Sequence, residues 1–280
     1  MKNKSALVIP LHPKHFNYGR EIIKEKARHA DESYDLHFVF TTHTEKDAFF
    51  DRETTPVQYL IIEDFCSLEI LHKTNSFVSI KKYYALKMLH MQYDYISCID
   101  SEIMFLSGGI PMHNVFQKIA GAKILHYGQN SSVNNIIKES LTLLIDPIYH
   151  EELHYLSDGY RRYTWWSNIP CYVSAHIPHF LQWISFDAEL LHRYTWFVFD
   201  DLVYNYYCML FHGYTCILYS NNSLEFANSN IVEHVHISFC TNNSMIAWVN
   251  HKAYLQNKRY YEENGFKFVF HLDRRLCDMK

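Results

Sequence analysis

The segment 95–106, YISCIDSEIMFL, is an apolar run broken at its centre by Asp100 and Glu102. A strand buried on both faces reads as a continuous run of apolar residues, and a buried carboxylate without a positive partner is costly in free energy. The two acids therefore belong at the end of a strand, where they can meet a cation. In an open α/β sheet the carboxyl ends of the strands border the crevice that binds ligands.

The types of residue in this segment suit a hard metal ion. Mg²⁺ and Mn²⁺ favour one or two carboxylates together with phosphate oxygens, and a nucleotide diphosphate would complete such a set. Asp100 and Glu102 are therefore a candidate metal-nucleotide site. The alternative is a pair of solvated turn residues, as in the triplet Asp51-Arg52-Glu53, which lies in a charged, polar stretch. The apolar context distinguishes the first triplet from the second.

Composition limits the class of protein. The chain has 280 residues, 48% of them hydrophobic, with only 8 Gly and 7 Pro, which is typical of one large domain or two closely joined lobes. The net charge of -4 and the absence of a long basic run argue against duplex DNA or an anionic membrane as the main partner. Small molecules or carbohydrates fit this composition better.

The beginning of the sequence predicts neither a signal peptide nor a membrane span. Its first apolar stretch is cut short by Pro10, His12 and Pro13. We therefore expect the protein to stay in the cytoplasm, where it is made. Seven scattered cysteines without C-x-x-C spacing favour reduced thiols over a disulfide framework or a zinc cage.

The first hundred residues alternate between β-like and helix-like patterns. Predicted strands lie at 6–10, 36–40, 57–62 and 95–99, and predicted helices at 18–28, 45–50 and 80–91. This order implies a parallel sheet with right-handed crossovers. The acids after the fourth strand and the loop 11–18 after the first strand would then share one edge. Neither G-x-G-x-x-G nor G-K-[ST] occurs, so dinucleotide and P-loop cradles are absent from the sequence.

The second half has a different texture. The stretch 158–170, which includes Trp165 and Trp166, is too polar for a core strand and is interpreted as a loop near a binding cleft. Asp200 and Asp201 precede a periodic stretch, 202–212, that ends at Gly213, the pattern of a helix with acids at its start. Further predicted elements are a strand at 171–174, a helix at 178–186, a β-rich run at 214–219, and an apolar patch at 266–270 in a charged tail.

Together these features resemble the nucleotide-sugar glycosyltransferases of the GT-A fold. The resemblance is carried by a first strand ending in Pro10, a helix with Lys81 and Lys82, the strand that ends in Asp100-Ser101-Glu102, and the later acid pair. It implies an α/β, Rossmann-like, mixed but mainly parallel sheet flanked by helices. It also implies a single domain, 1–280, with a nucleotide-sugar half at 1–110 and an acceptor half with a C-terminal tail at 111–280.

The resemblance implies roles for individual residues. The D-x-D-type triplet of that family binds Mn²⁺ or Mg²⁺ and the donor, which assigns the metal here to Asp100 and Glu102, with Glu in place of the usual last Asp. A histidine further along often completes the metal site, and His236 in the sequence Glu233-His234-Val235-His236 is the candidate. The residues expected to bind the donor are Pro10, His12, Lys81, Lys82, Asp100 and Ser101.

A second acidic motif of that family opens a helix, and its last carboxylate is the catalytic base of inverting members. Phe199-Asp200-Asp201 matches this motif with Asp for Glu, so the base is expected to be Asp201, with Asp200 as the alternative. A carboxylate in reach of an acceptor hydroxyl can remove its proton as the new glycosidic bond forms. Acids at a helix start are also ordinary N-terminal stabilisers, and that reading stays open.

The size of the chain, its Tyr- and Asn-rich composition and the missing signal sequence also resemble those of the glycosyltransferases that large DNA viruses of algae, the chloroviruses, use to decorate a capsid glycan. This resemblance implies a xylosyltransferase that uses UDP-xylose and a glycan or glycoprotein acceptor. Two other functions remain open. One is a carbohydrate-binding protein without catalysis, and the other is a zinc-dependent hydrolase built on histidine pairs such as His176 and His179. The hydrolase reading lacks the H-E-x-x-H motif.

Overall fold

The computed structural model describes most of the chain, with gaps. It covers residues 4–71, 77–101, 103–105, 111–129, 133–164, 168–186, 198–218, 236–240, 244–249, 259 and 266–271. Of the predictions made above, Glu102, Trp165, Trp166 and His234 lie outside the described residues. Within the described part, no helix is both long enough and apolar enough to span a bilayer.

The first half of the chain builds a parallel sheet, as the sequence predicts. Its strands are β1 (Ser5–Pro10), β2 (Tyr34–Phe40), β3 (Gln58–Ile61) and β4 (Tyr95–Cys98). The helices between them are α1 (Phe16–His29), α2 (His43–Phe50), α3 (Leu68–Leu71) and α4 (Phe77–Leu89). The strand order is β3-β2-β1-β4, with every pair parallel. Strand β1 lies at the centre, and all six of its residues are buried.

The second half adds helices and an antiparallel edge to this sheet. Its elements are α5 (Met112–Ala122), β6 (Ile124–Gln129), α6 (Asn134–Thr142), α7 (His150–Leu156), β7 (Arg162–Tyr163), β8 (Tyr172–Val173), α8 (Ile177–Trp183), α9 (Asp200–His212) and β9 (Thr215–Leu218). Strand β8 pairs with β4 in the antiparallel sense and completes the five-stranded sheet. Strand β6 joins β7 and β9 in a small separate sheet.

A third sheet includes a short strand that follows the acid triplet. Strand β5 (Ile103–Phe105) pairs with β12 (Phe266–His271), which in turn pairs with β11 (Ser244–Val249). Strand β10 (His236–Cys240) completes the order β10-β11-β12-β5. The triplet therefore leaves one sheet at β4 and leads into another at β5.

The core is divided by the parallel sheet into two layers, because successive side chains of a strand point to opposite faces. Ala6 and Val8 of β1 pack in the layer that contains residues of α4, α8 and α9. Leu7 and Ile9 pack in the other layer, against residues of α1, α2 and α5. The fold class expected from the sequence, a mixed and mostly parallel α/β sheet flanked by helices, is confirmed.

Helix α9 has acidic residues in its first turn and a glycine directly after its last residue. Asp200 and Asp201 form its first turn, in which carboxylates interact favourably with the helix dipole. Gly213 follows the helix with a φ of 68°, in the left-handed region, and the amide of Tyr214 donates to the carbonyl of Cys208. The predicted start and end of this helix are therefore both seen.

Candidate functional site

The candidate site lies at the carboxyl edge of the parallel sheet. The amide of Ile99, which follows β4, donates to the carbonyl of Val8 over 3.0 Å, and Asp100 comes next. The side chain of Asp100 is 56% exposed, so it is accessible to a ligand. In open α/β sheets this edge is the usual ligand-binding crevice.

One lysine joins the first acid of the triplet to the first acid of α9. Lys82 Nζ lies 3.1 Å from Asp100 Oδ1 and 3.1 Å from Asp200 Oδ1. Both Lys82 and Asp200 are buried, with 8% and 2% of their surfaces exposed. Two predicted donor residues and one of the two predicted acids of the second motif are thus brought together around a single ammonium group.

Asp200 is held from a second side by a tyrosine on the antiparallel edge strand. The Tyr172 hydroxyl donates to Asp200 Oδ2 over 2.5 Å, so each oxygen of this carboxylate has a partner. Its neighbour Asp201 is also buried, and the backbone amide of Leu202 favours the charged form of its carboxyl group by lowering its pKa, against the larger effect of burial. The two adjacent acids therefore differ in their environments.

Burial and neighbouring charges shift the pKa values of Asp200, Asp201 and Lys82. Burial raises the pKa of Asp201 well above its ordinary value, and the neighbouring charge of Asp200 raises it further. Burial also raises the pKa of Asp200, although Lys82 and Tyr172 oppose that shift. Burial would lower the pKa of Lys82, but the surrounding carboxylates outweigh it and raise that pKa well above its ordinary value. Lys82 forms ion pairs with two of these carboxylates, Asp100 and Asp200, while Asp201 raises the pKa of Lys82 without direct contact.

The second predicted lysine has a different place. Lys81 Nζ donates to the carbonyl of Leu11 over 2.8 Å and lies 3.7 Å from Glu45 Oε2. Burial lowers the pKa of Lys81 to about 8, against the opposing effect of Glu45. This lysine ties the loop after β1 to helices α2 and α4. Its ammonium lies at the same edge as that of Lys82, but it contacts Leu11 and Glu45 rather than the acids of the site.

The loop after β1 reaches the acid triplet through a histidine that the sequence reasoning did not select. The Nδ1 atom of His15 and the hydroxyl of Ser101 lie 2.6 Å apart, within hydrogen-bonding distance. Ser101 is buried, with 2% of its surface exposed, whereas His12, which lies on the loop after β1, is exposed. Pro10 is the buried last residue of β1. Some of the predicted donor-binding residues are therefore buried and others are exposed. The buried ones are Pro10, Lys81, Lys82 and Ser101, and the exposed ones are His12 and Asp100.

The predicted third metal ligand lies away from the triplet along the sheet. His236 is opposite Trp248, Trp248 is opposite Phe270, and Phe270 is opposite Ile103. Three strand spacings, about 14 Å, therefore separate the backbones of His236 and Ile103. His271 follows Phe270 at the end of β12. Because β12 and β5 are antiparallel, His271 lies next to the start of β5, where the chain arrives from the acid triplet.

The carboxylates suit a divalent metal chemically. Asp100 is exposed enough to bind an ion, and its oxygen donors are of the hard type that Mg²⁺ and Mn²⁺ prefer. Glu102 is outside the described residues. Among the side chains that the structure does describe, no group of three or more His, Cys, Asp or Glu is arranged to hold a metal.

The described histidine pair behind the hydrolase hypothesis, His176 and His179, has other contacts. His176 Nδ1 lies 3.1 Å from the Tyr204 hydroxyl, and His179 Nδ1 lies 2.9 Å from the Tyr207 hydroxyl. The ring of His176 also stacks on the ring of His212 at 3.5 Å. These residues join α8 to α9 as part of the packing, and this arrangement does not favour a zinc site.

Tyr172 and His15 are the site residues that sequence reasoning missed. Tyr172 is one of 22 tyrosines, and the predicted strand around it gave no hint of its partner. The signal for His15 was its position in the loop 11–18, which was already expected at this edge. In the described part of the chain, Cys66, Cys98, Cys171, Cys208 and Cys216 are free thiols.

Comparison with known proteins gives a structural likeness and no sequence match. No family model matches the chain, and no curated protein matches it. The solved bifunctional glycosyltransferase WbbM is 11% identical, over 98% of this chain and 46% of that chain, with a TM-score of 0.48. This chain therefore spans less than half the length of that protein.

Two other solved structures are glycosyltransferases by name. The galactosyltransferase LgtC, in complex with donor and acceptor sugar analogues, is 14% identical over 96% of this chain and 87% of that chain, with a TM-score of 0.41. Mouse xyloside xylosyltransferase 1 is 9% identical over 96% and 97%, with a TM-score of 0.37. All three scores are below 0.5, so we base the proposed function on the residues of the site.

Proposed function

We propose that this protein is a metal-dependent glycosyltransferase of the GT-A type. It would move a sugar from a nucleotide diphosphate sugar to a hydroxyl group of a glycan. The observation that carries the proposal is the bridge that Lys82 forms between Asp100 and Asp200 at the carboxyl edge of the parallel sheet, with the buried Asp201 next to Asp200 in α9. A cluster of this kind supplies an accessible acid for the donor and a buried acid pair for proton transfer.

The donor side of the site would use the edge formed by β1, β4 and α4. Asp100 and Glu102 would hold Mn²⁺ or Mg²⁺, with His271 as the further ligand, because the backbone of His236 is three strand spacings, about 14 Å, from that of Ile103. The metal would offset the charge that develops on the departing diphosphate. Pro10, Lys81 and Ser101 would shape the pocket from behind, and the exposed His12 would line its rim.

On the acceptor side we assign the base role to Asp201. Asp200 is committed to Lys82 and Tyr172 through both of its oxygens, which makes it a poor acceptor for a substrate proton. The raised pKa of Asp201, caused by burial and by Asp200, increases its affinity for the proton that leaves the acceptor hydroxyl. Transfer with an Asp base would proceed with inversion at the anomeric carbon.

The finer features of the proposal follow the resemblance noted in the sequence. The donor is UDP-xylose, the acceptor is a glycan of the kind found on a viral capsid glycoprotein, and the reaction takes place in the cytoplasm. Residues 1–110 would form the donor half of a single domain, and residues 111–280 the acceptor half with its tail. The alternative of a carbohydrate-binding protein predicts that Asp200 and Asp201 are dispensable.

The test is a calorimetric titration against a panel of UDP, GDP, CMP and TDP sugars, with Mn²⁺ and with a chelator. We expect metal-dependent binding of UDP-xylose, followed by transfer to an acceptor glycan. Binding of no nucleotide sugar under either condition would contradict the proposed function. The anomeric configuration of the product, measured by NMR, then separates inversion from retention.

A further inference from the structure

The position of Lys82 connects two parts of the site that serve different substrates. Its ammonium is the same distance, 3.1 Å, from Asp100 Oδ1 and from Asp200 Oδ1. Asp100 lies on the donor side, and Asp200 opens the helix that carries Asp201. Because Lys82 is buried, water screens these two interactions less than it would at the surface.

We propose that Lys82 is a positioning residue that couples metal binding at Asp100 to the placement of the acid pair of α9. The divalent cation would take the place of Lys82 beside Asp100, and Lys82 would then pair with Asp200 alone. This inference rests on the proposed function, since it needs a metal at Asp100. It assigns to Lys82 a role other than binding the donor phosphates.

The first argument is that the metal and the ammonium compete for one carboxylate. A lysine ammonium is a compact positive charge that donates hydrogen bonds and accepts none. A divalent cation on Asp100 would repel it, by about 1 kcal/mol per unit charge at 4 Å even with the screening of bulk water. The cation and Lys82 therefore cannot both keep close contact with Asp100 without loss of free energy.

The second argument is that Asp200, the other carboxylate in contact with Lys82, is held in place by further hydrogen bonds. Asp200 is anchored on its other oxygen by the Tyr172 hydroxyl at 2.5 Å. The Ser79 hydroxyl of α4 donates to the carbonyl of Val198, two residues before α9, over 2.8 Å. The two helices are thus tied together beside the ion pair, so a change at Lys82 acts directly on the start of α9.

The test measures Mn²⁺ binding without a nucleotide, by the electron paramagnetic resonance signal of free Mn²⁺, together with kcat and KM for transfer. For Lys82→Met we expect Mn²⁺ to bind about fivefold more tightly, because a competing positive charge is gone. We expect kcat to fall by about tenfold or more, because the acid pair is misplaced. Lys87→Met, an exposed site on the same helix, is the matched control and should change neither value.

Other roles for Lys82 give different results. A lysine that only stabilises the fold would weaken Mn²⁺ binding and activity together when removed. A lysine that binds the donor phosphates would raise KM and leave the affinity for Mn²⁺ alone unchanged. Either result would overturn the coupling.

Asp200→Asn provides the reciprocal test and conserves the shape of the side chain. With Asp200 neutral, Lys82 is held by Asp100 alone, so Mn²⁺ binding should weaken about threefold. The same change in the Lys82→Met background should have little further effect on Mn²⁺ affinity, because the coupling is already broken. If Lys82→Met does not fold, Asp200→Asn decides alone, and unchanged Mn²⁺ affinity rejects the coupling. A wild-type protein that binds no Mn²⁺ would reject the proposed function as well.

Discussion

Tyr172 donates a hydrogen bond from its hydroxyl to Asp200 Oδ2 over 2.5 Å, and both side chains are almost fully buried. The contact joins the antiparallel edge strand β8 to the first turn of α9. A buried carboxylate is tolerated only when hydrogen bonds or opposite charges compensate it. Tyr172 and Lys82 supply that compensation from opposite sides.

Replacement of Tyr172 by Phe should therefore reduce the free energy of unfolding by about 1–3 kcal/mol, since a buried oxygen loses its donor. Urea denaturation of the two proteins measures this difference. Tyr155→Phe is the control, because Tyr155 is 81% exposed, and it should stay within about 0.5 kcal/mol of wild type. Equal stability of Tyr172→Phe and wild type would show that Asp200 does not depend on this donor.

Asp201→Asn should abolish transfer and leave binding of the nucleotide sugar near normal. The amide cannot take a proton from the acceptor, and loss of a general base typically lowers kcat by about 10²–10⁴-fold. Steady-state kinetics and calorimetry on the same preparation separate the two effects. Turnover equal to that of the wild type would remove Asp201 from the base role.

Glu102→Ala should weaken the Mn²⁺-dependent part of nucleotide binding. The chain contains its own control, because Glu53 ends the triplet Asp51-Arg52-Glu53, in which an acid also follows another acid by two positions. Glu53→Ala should leave binding unchanged in titrations with Mn²⁺ and with a chelator. Unchanged affinity in the Glu102 variant would show that this acid does not hold the metal.

The buried His37 should make the protein less stable in mild acid. Burial lowers its pKa to about 4, whereas an unfolded histidine has a pKa near 6.5. Below pH 6.5 the unfolded chain therefore binds a proton that the folded protein excludes. The contribution of His37 to the free energy of unfolding is fully present above pH 6.5. It is lost as the pH falls towards 4, by up to about 1.4 kcal/mol per pH unit.

Urea denaturation between pH 7 and pH 5 measures this slope, and His37→Asn provides the comparison. The variant cannot take up the proton, so its stability should fall less steeply over the same range. Other groups, such as the stacked His176, whose pKa burial also lowers to about 4, contribute to both proteins and cancel in the difference. Parallel slopes would contradict the assignment to His37.

The first half of the fold could be predicted because each element has a local signature. Strand β1 is a run of apolar residues that ends at a proline, and Gly213 ends α9 as expected. The segment 111–157 carries no prediction from the sequence, although it forms α5, β6, α6 and α7. The antiparallel pairing of β8 with β4 was also missed, because pairing between distant strands leaves no periodic signal in either one.

The acids of the candidate site could be selected from the sequence, but the residues that contact them could not. Asp100 stands out because it interrupts an apolar run, and Asp200 because it opens a helix. Lys81 and Lys82 are adjacent in sequence and look equivalent there. Only the packing of α4 shows that one faces the carbonyl of Leu11 and the other faces the carboxylates.

The pairing of β5 with β12 has a consequence for the order in which the protein is completed during synthesis. The acid triplet is made earlier, but the strand that follows it, β5, finds its partner, Phe266–His271, only after the residues up to 271 have been translated. A ribosome-bound chain that has not yet released residue 271 can build the parallel sheet and still lack the support on the far side of the triplet. This edge of the candidate site is therefore completed only after residue 271 has left the ribosome.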